Sequence, residues 1–314
     1  MLVIAPQFLA PADLRKPKKS WNDMEDNESL QRTHSGFKVQ KLTDKVNPDD
    51  FLRWRYNDWR GAEPALNEGA PIDSFTAMDS LIESILKLTP NAQTIEFRGN
   101  SEGGQFMNRY LAYSKALNRI ELDRTDNENK IKIRGIFSNP GTVHYFTPLR
   151  PVFDKNGKIV RWKEYAFESP ENMWPFGLYD PPPYISESLN EWPHRDPKAY
   201  PNKNAYEDTL LFAVRNFLRR SILAIGRNDD VVGGFHLPKG PGPAYAAQGN
   251  TRYQRMKGLF YFLHDIVRKN NIENTFPPRM LIIENVEHNA REVFLITEPY
   301  SDIIREAESL EMPL

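Results

Sequence analysis

Cysteine is absent from all 314 residues, which excludes disulfides, thiol nucleophiles and cysteine-ligated zinc. Long apolar runs are also absent. None approaches the stretch of about 18 residues that crosses a bilayer, so no membrane association is expected. Met1 to Ala5 is cut off by Pro6 and lacks a basic leader, so no signal peptide is expected. A cytoplasmic location follows as the expectation, the host cytoplasm for a viral chain. Charge of one sign is missing as well. With 41 Lys/Arg against 42 Asp/Glu the net charge is −1, and any attraction to nucleic acid must come from local segregation. Aromatics at 12% exclude disorder throughout, and the length suffices for a sizeable core.

What is present divides the chain unevenly. Residues 1–46 mix prolines with charges, as in PADLRKPKKSWNDMEDNES, and read as an extended arm. Asn47-Pro48-Asp49-Asp50 has the makings of a helix start leading into FLRWRYNDW. A second helix is predicted from Asp73 or Ser74, with Met78, Leu81, Ile82, Ile85 and Leu88 as its apolar stripe and Pro90 as its stop. The strand QTIEF comes next, then a glycine loop. From Ile120 the pattern alternates through IELD, KIKIRGIF, TVHYFTPLRPVF and IVRWKEYAF, with Asn156-Gly157 as a hairpin turn. Eight prolines between 168 and 203 make a long Pro-rich loop or linker. Helices over about 204–226 and 250–270 flank the Gly/Pro loop VVGGFHLPKGPGPAY, and a last hairpin, RMLIIENVE with REVFLIT, precedes a short acidic helix. The expected class is α+β, antiparallel β-hairpins with flanking helices, an extended N-terminal arm and a long Pro-rich central loop. Its segments are the arm 1–46, an α+β domain 47–167, the Pro-rich 168–203, and a helical and hairpin region 204–314 that can pack with 47–167 as one unit.

Gly99 to Gly104 has the spacing of a phosphate loop between a strand and a helix. Gln105-Phe106 stands where a lysine and a hydroxyl are needed, and Glu102 would repel a phosphate, so a turn with Asn100 or Ser101 capping the helix is expected. The six histidines form no HxH or HExxH pair. Glu284, Glu287 and His288 are the nearest approach to a ligand cluster, but they fall at a predicted hairpin bend where charges face water. The paired acids Asp49/Asp50 and Glu207/Asp208 suit helix dipoles, and Asp229/Asp230 is a further pair near a helix end. Neither a metal nor a cofactor is expected.

Cations interleaved with rings carry more signal. Helix 204–226 sets Arg215, Arg219 and Arg220 opposite its apolar arc, and helix 250–270 carries Lys257, Tyr261, His264 and Arg268 along a second stripe. Residues 203–270 hold eleven Lys/Arg against five Asp/Glu, whereas 271–314 hold three against nine. Such a face can neutralise phosphates and stack bases, so the expected function is a non-enzymatic protein that binds single-stranded nucleic acid, RNA or ssDNA, through these seven residues. The alternative is a protein-protein assembly or inhibitor protein of viral type, using the arm and Pro-rich loop, with Phe51 and Trp54 as interface residues and homo-oligomers allowed. An enzyme ranks third, with its site at Gly233, Gly234, His236 and Lys239 in the 233–243 loop.

Overall fold

The computed structural model describes residues 52–54, 58–67, 69, 72–123, 131–190, 203–230, 243–272 and 277–297, with residues 2, 4 and 6. The chain divides into two compact units, Met1–Trp59 with Glu63–Ser74, and Arg60–Ala62 with Phe75–Leu314. In the first, Leu52–Trp54 are not helical, contrary to the helix expected from Asn47. Arg53 N–H donates to Asn67 Oδ1 at 2.9 Å, and buried Trp54 donates its Nε1–H to Glu63 O at 3.0 Å. Phe51, the other residue expected at an interface, lies outside the described residues.

The second unit is built on α1 (Ser74–Leu88), β1 (Thr94–Asn100), α2 (Glu102–Tyr113), α3 (Lys115–Asp123) and β2 (Lys132–Ser138). It continues with β3 (Leu149–Phe153), β4 (Ile159–Glu164), α4 (Pro183–Asn190), α5 (Lys203–Arg220) and β5 (Ser221–Gly226). Last come α6 (Pro243–Ala246), α7 (Arg252–Lys269), β6 (Met280–Ile283) and α8 (Ala290–Thr297). The strands β1-β2-β5-β6 lie in that order in one sheet, and every pairing in it is parallel. Each parallel step needs a crossover, and each crossover here contains a helix.

This corrects the expected antiparallel α+β class. Among the described strands only β3 and β4 pair antiparallel, around the Asn156-Gly157 turn, where Gly157 takes φ 75°. Three local readings account for the difference. IELD, taken for a strand, lies in α3. The helix expected to run to 226 stops at Arg220, and SILAIG becomes β5 with every residue buried. REVFLIT, taken for a hairpin strand, is α8. A parallel strand is covered on both faces and loses the period-2 signature, so its continuous apolar run passes for helix.

α2 packs on β1, β2 and α5, burying Phe106, Met107, Tyr110 and Leu111. Gly135 on β2 permits that approach, because a Cβ there would sit 2.5 Å from Leu111 Cδ1. On the sheet's other face Ile136, Ile222, Ala224 and Ile283 meet Val286, Val293 and Phe294, which seats α8 and the turn before it. Asp79 ties α1 to α2, α3 and α4: its carboxylate accepts from Tyr110 Oη, Ser114 Oγ, Tyr184 Oη and Ala116 N–H at 2.6 to 3.1 Å. No described helix is long and apolar enough to cross a membrane.

Candidate active site

In an open parallel sheet, the loops leaving the carboxyl ends of the strands converge on one edge. Three of those loops carry chemistry. β1 leads through Ser101 directly into α2, and the turn is tight enough to force Ser101 to φ 55°, ψ −113°, a conformation that costs a non-glycine residue about 1–3 kcal/mol. The surroundings hold it there. Ser101 N–H donates to Ser138 O at 3.0 Å, and its carbonyl accepts from Gln105 N–H at 3.0 Å. Gly99 and Gly104 leave no room for side chains, since a Cβ at Gly99 would lie 2.5 Å from Gly103 O and one at Gly104 2.6 Å from Ser138 O. The expected cap is absent, because Ser101 makes no side-chain capping bond. Asn100 Oδ1 instead accepts from Ser138 Oγ at 2.9 Å and Asn139 Nδ2 at 3.1 Å.

β5 ends at Gly226, and three residues on Asp229 is wholly buried. Its backbone N–H donates to Gly226 O at 3.1 Å, closing the turn. β6 ends at Ile283, and the following turn folds back over β5, with Asn228 N–H donating to Val286 O at 3.1 Å. Gly226 is again obligatory, for a Cβ there would run into Val286 O. The turn delivers His288, whose Nδ1 lies 2.8 Å from Asp229 Oδ2. An ionised carboxylate only accepts, so Nδ1 carries the proton and donates, which leaves Nε2 of a neutral ring as a base. Asn139 braces the edge between these parts: its Nδ2 reaches Asn100, and its Oδ1 accepts from Gly226 N–H at 3.1 Å.

A serine on a strained strand-to-helix turn, a buried aspartate and a histidine hydrogen-bonded to it are the ingredients of nucleophilic acyl transfer. None of the three is among the site residues expected from the sequence. Residues 99–103 read GNSEG, a G-x-S-x-G that overlaps the phosphate-loop spacing, and that motif was the available signal. In the sequence Asp229 is half of an acidic pair and His288 part of a weak candidate metal cluster. Among the described residues no group of three or more His, Cys, Asp or Glu could hold a metal ion.

The predicted cationic face is arranged otherwise. Arg215 is exposed on α5. Arg219 and Arg220 both turn to Glu121 of α3, and Arg220 is completely buried, donating also to Leu111 O and Asn118 Oδ1 at 2.7 Å. On α7 the Tyr261 ring is buried, and half-buried His264 packs edge-on against Phe260. Burial lowers the His264 and Lys257 pKa values, which disfavours the charges a phosphate would need. Arg268 is exposed and 3.4 Å from Asp265. Buried and internally paired, Arg220 and Tyr261 offer no phosphate contact or stacking platform. Trp54 is buried within the first unit. Gly233, Gly234, His236 and Lys239 lie outside the described residues.

No protein-family model matches the chain, and no curated protein matches it. Solved structures similar to it include poly(aspartic acid) hydrolase-1 from Sphingomonas sp. KT-1, at 14% identity and TM-score 0.47, covering 77% of this chain and 69% of that one. A poly(3-hydroxybutyrate) depolymerase from Bordetella parapertussis is similar at 16% identity and TM-score 0.46, covering 81% of this chain and 66% of that one. Both neighbours are hydrolytic enzymes. The expectation of a non-enzymatic, nucleic-acid-binding or viral assembly protein is corrected by the arrangement of the side chains: Arg219 and Arg220 close on Glu121, the Tyr261 ring is buried, and the hydrogen-bonded Asp229–His288 pair lies at the sheet edge of the strained Ser101.

Proposed function

We propose that this chain is a serine hydrolase with an α/β-hydrolase arrangement, cleaving an ester or amide carbonyl with Ser101 as nucleophile, His288 as general base and Asp229 as the group that orients His288. The observation that carries this reading is the Asp229–His288 hydrogen bond at the same sheet edge as the strained Ser101. The order along the chain, Ser then Asp then His, and the placement of the serine on a sharp strand-to-helix turn are those of the G-x-S-x-G hydrolases.

The chemistry follows from the groups. Ser101 Oγ attacks the carbonyl carbon while His288 Nε2 takes its proton, and the imidazolium is stabilised by Asp229. The negative charge on the carbonyl oxygen falls to backbone N–H groups. Glu102 N–H, the residue after the nucleophile and the first of α2, is one donor, and the positive end of the helix dipole adds to it. Collapse of the tetrahedral species breaks the bond to the leaving group, which takes the proton from His288 and departs as alcohol or amine. Water then enters by the same path in reverse roles: His288 removes its proton, the hydroxyl adds to the acyl carbon, and the acid leaves as Ser101 recovers its hydrogen.

The test is covalent. A fluorophosphonate probe should label wild type at Ser101, identified by peptide mass, and Ser101→Ala should abolish labelling. Hydrolysis of p-nitrophenyl acetate or butyrate should fall by about 10⁴-fold or more in Ser101→Ala and His288→Ala. Folded wild type that neither labels nor hydrolyses any simple ester or anilide, or a Ser101→Ala protein that retains the activity, refutes the reading.

A further inference from the structure

Arg252 stands against the acid of this site, and no step above uses it. Its Nη1 lies 3.4 Å from Asp229 Oδ1, while His288 occupies Oδ2, so the carboxylate is held from both sides. Arg252 is 3% exposed and Asp229 is 0% exposed, which takes both charges out of water. We propose that Arg252 is a positioning residue that keeps Asp229 ionised and turned toward His288; this rests on the serine-hydrolase reading of the site.

The location is a costly one for a cation. Arg252 is the first residue of α7, where the helix dipole is positive, and the buried guanidinium of Arg255 follows one turn later. Arg255 is satisfied by the carbonyls of Gly249, Gly141 and Asn250, at 3.0, 2.5 and 3.3 Å. Arg252 is not so provided, since its Nε is buried without a hydrogen-bond partner. Among the described residues its one ion pair is with Asp229. The hydrogen bond that Nη1 donates to Asp229 Oδ1 at 3.4 Å is the same contact, so the carboxylate, and not a set of carbonyls, accounts for a guanidinium here. The backbone makes the same connection, because Tyr253 N–H donates to Asp229 O at 3.2 Å and docks the start of α7 on the acid's turn.

A buried carboxylate facing only a neutral imidazole is driven to take up a proton, and once protonated it no longer serves as the acceptor that fixes the Nδ1–H tautomer. Arg252 opposes that protonation. Among the described residues, the other charges that neighbour Asp229 and His288 along the chain are Asp230, Glu284 in its pair with Arg227, Glu287, Arg291 and Glu292, all exposed and screened by water, and the guanidinium of Arg255 is spent on carbonyls. The readout is the His288 imidazole itself, followed as pH falls.

The experiment uses the full chain carrying Ser101→Ala, so that the titration is independent of turnover, and follows the His288 imidazole by NMR across pH. Arg252→Met should move the midpoint to higher pH, and Arg252→Lys should bring it back toward wild type. Should Arg252→Met fail to fold, Arg252→Gln, uncharged but still a donor, is read the same way. In the active protein Arg252→Met should lower kcat by about 10- to 100-fold, part of the roughly 10⁴-fold loss that follows from a mis-set tautomer, with KM nearly constant and the acid limb of kcat moved to higher pH. An unmoved midpoint in a folded variant, or a Lys variant that behaves like Met, overturns the proposal. A moved midpoint in a protein without hydrolytic activity instead refutes the hydrolase reading and leaves the Arg252 assignment standing. Hydrolysis by Ser101 with an unmoved midpoint does the reverse.

Discussion

Replacing Ser101 by glycine should abolish hydrolysis and make the protein more stable than the alanine variant does. Alanine keeps a Cβ and therefore keeps the strain of φ 55°, ψ −113°. Glycine releases about 1–3 kcal/mol of it. Against this, glycine gives the unfolded chain more freedom, which costs about 0.4–1 kcal/mol. The net advantage of Ser101→Gly over Ser101→Ala is then up to about 2.5 kcal/mol, the reverse of the usual order of these two residues. With an unfolding entropy that grows with chain length, each kcal/mol is worth about 1.5 °C here, so the midpoints should differ by up to about 4 °C. The assay is paired urea and thermal unfolding of the two variants, neither of which retains a nucleophile. A glycine variant less stable than the alanine variant would show that Ser101 is not held in a strained turn, and would remove the main support for its exposure as a nucleophile.

Three other outcomes are expected. Gly99→Ala should destabilise the elbow and reduce fluorophosphonate labelling, since its Cβ meets Gly103 O at 2.5 Å and Met107 Cγ at 2.6 Å, whereas Gly103→Ala, with nothing within 4 Å, should leave the fold intact by circular dichroism and unfolding. Asp79→Ala should cost at least about 3 kcal/mol in urea unfolding, because it strips the acceptor from Tyr110, Ser114, Tyr184 and the Ala116 N–H. Stability should fall with acid through His144, whose pKa burial, then Arg109, lowers well below its ordinary 6.5. The folded state holds it neutral while the unfolded chain binds a proton, so stability is full above about pH 6.5 and is lost below it at about 1.4 kcal/mol per pH unit. His144→Asn should remove one such slope between pH 7 and 5, and an unchanged slope would count against the burial of an uncharged ring.

Local rules read from the chain hold wherever the neighbours in sequence set the conformation. Pro90, the stripe Met78, Ile82 and Ile85, and the Asn156-Gly157 turn mark α1 and the β3–β4 hairpin with little help from tertiary contacts, and GNSEG carries the elbow in its letters although it overlaps a phosphate-loop spacing. Strand direction was not legible. SILAIG and MLII are apolar runs whose parallel pairing depends on helices that cover both faces of the sheet, and no short window contains that information.

The sequence by itself determined which residues are available for chemistry: a serine between glycines, no thiol, and balanced charge. Only the tertiary structure decided that Asp229 and His288, fifty-nine positions apart, share a hydrogen bond at the edge where Ser101 is strained, and that Arg252 stands behind them. It also decided that Arg219 and Arg220 close on Glu121 rather than on a ligand. The physical reason is the same in each case. A charge's role is set by what lies within a few ångströms of it after burial, and the parallel crossovers bring together groups from distant parts of the chain that no periodicity connects.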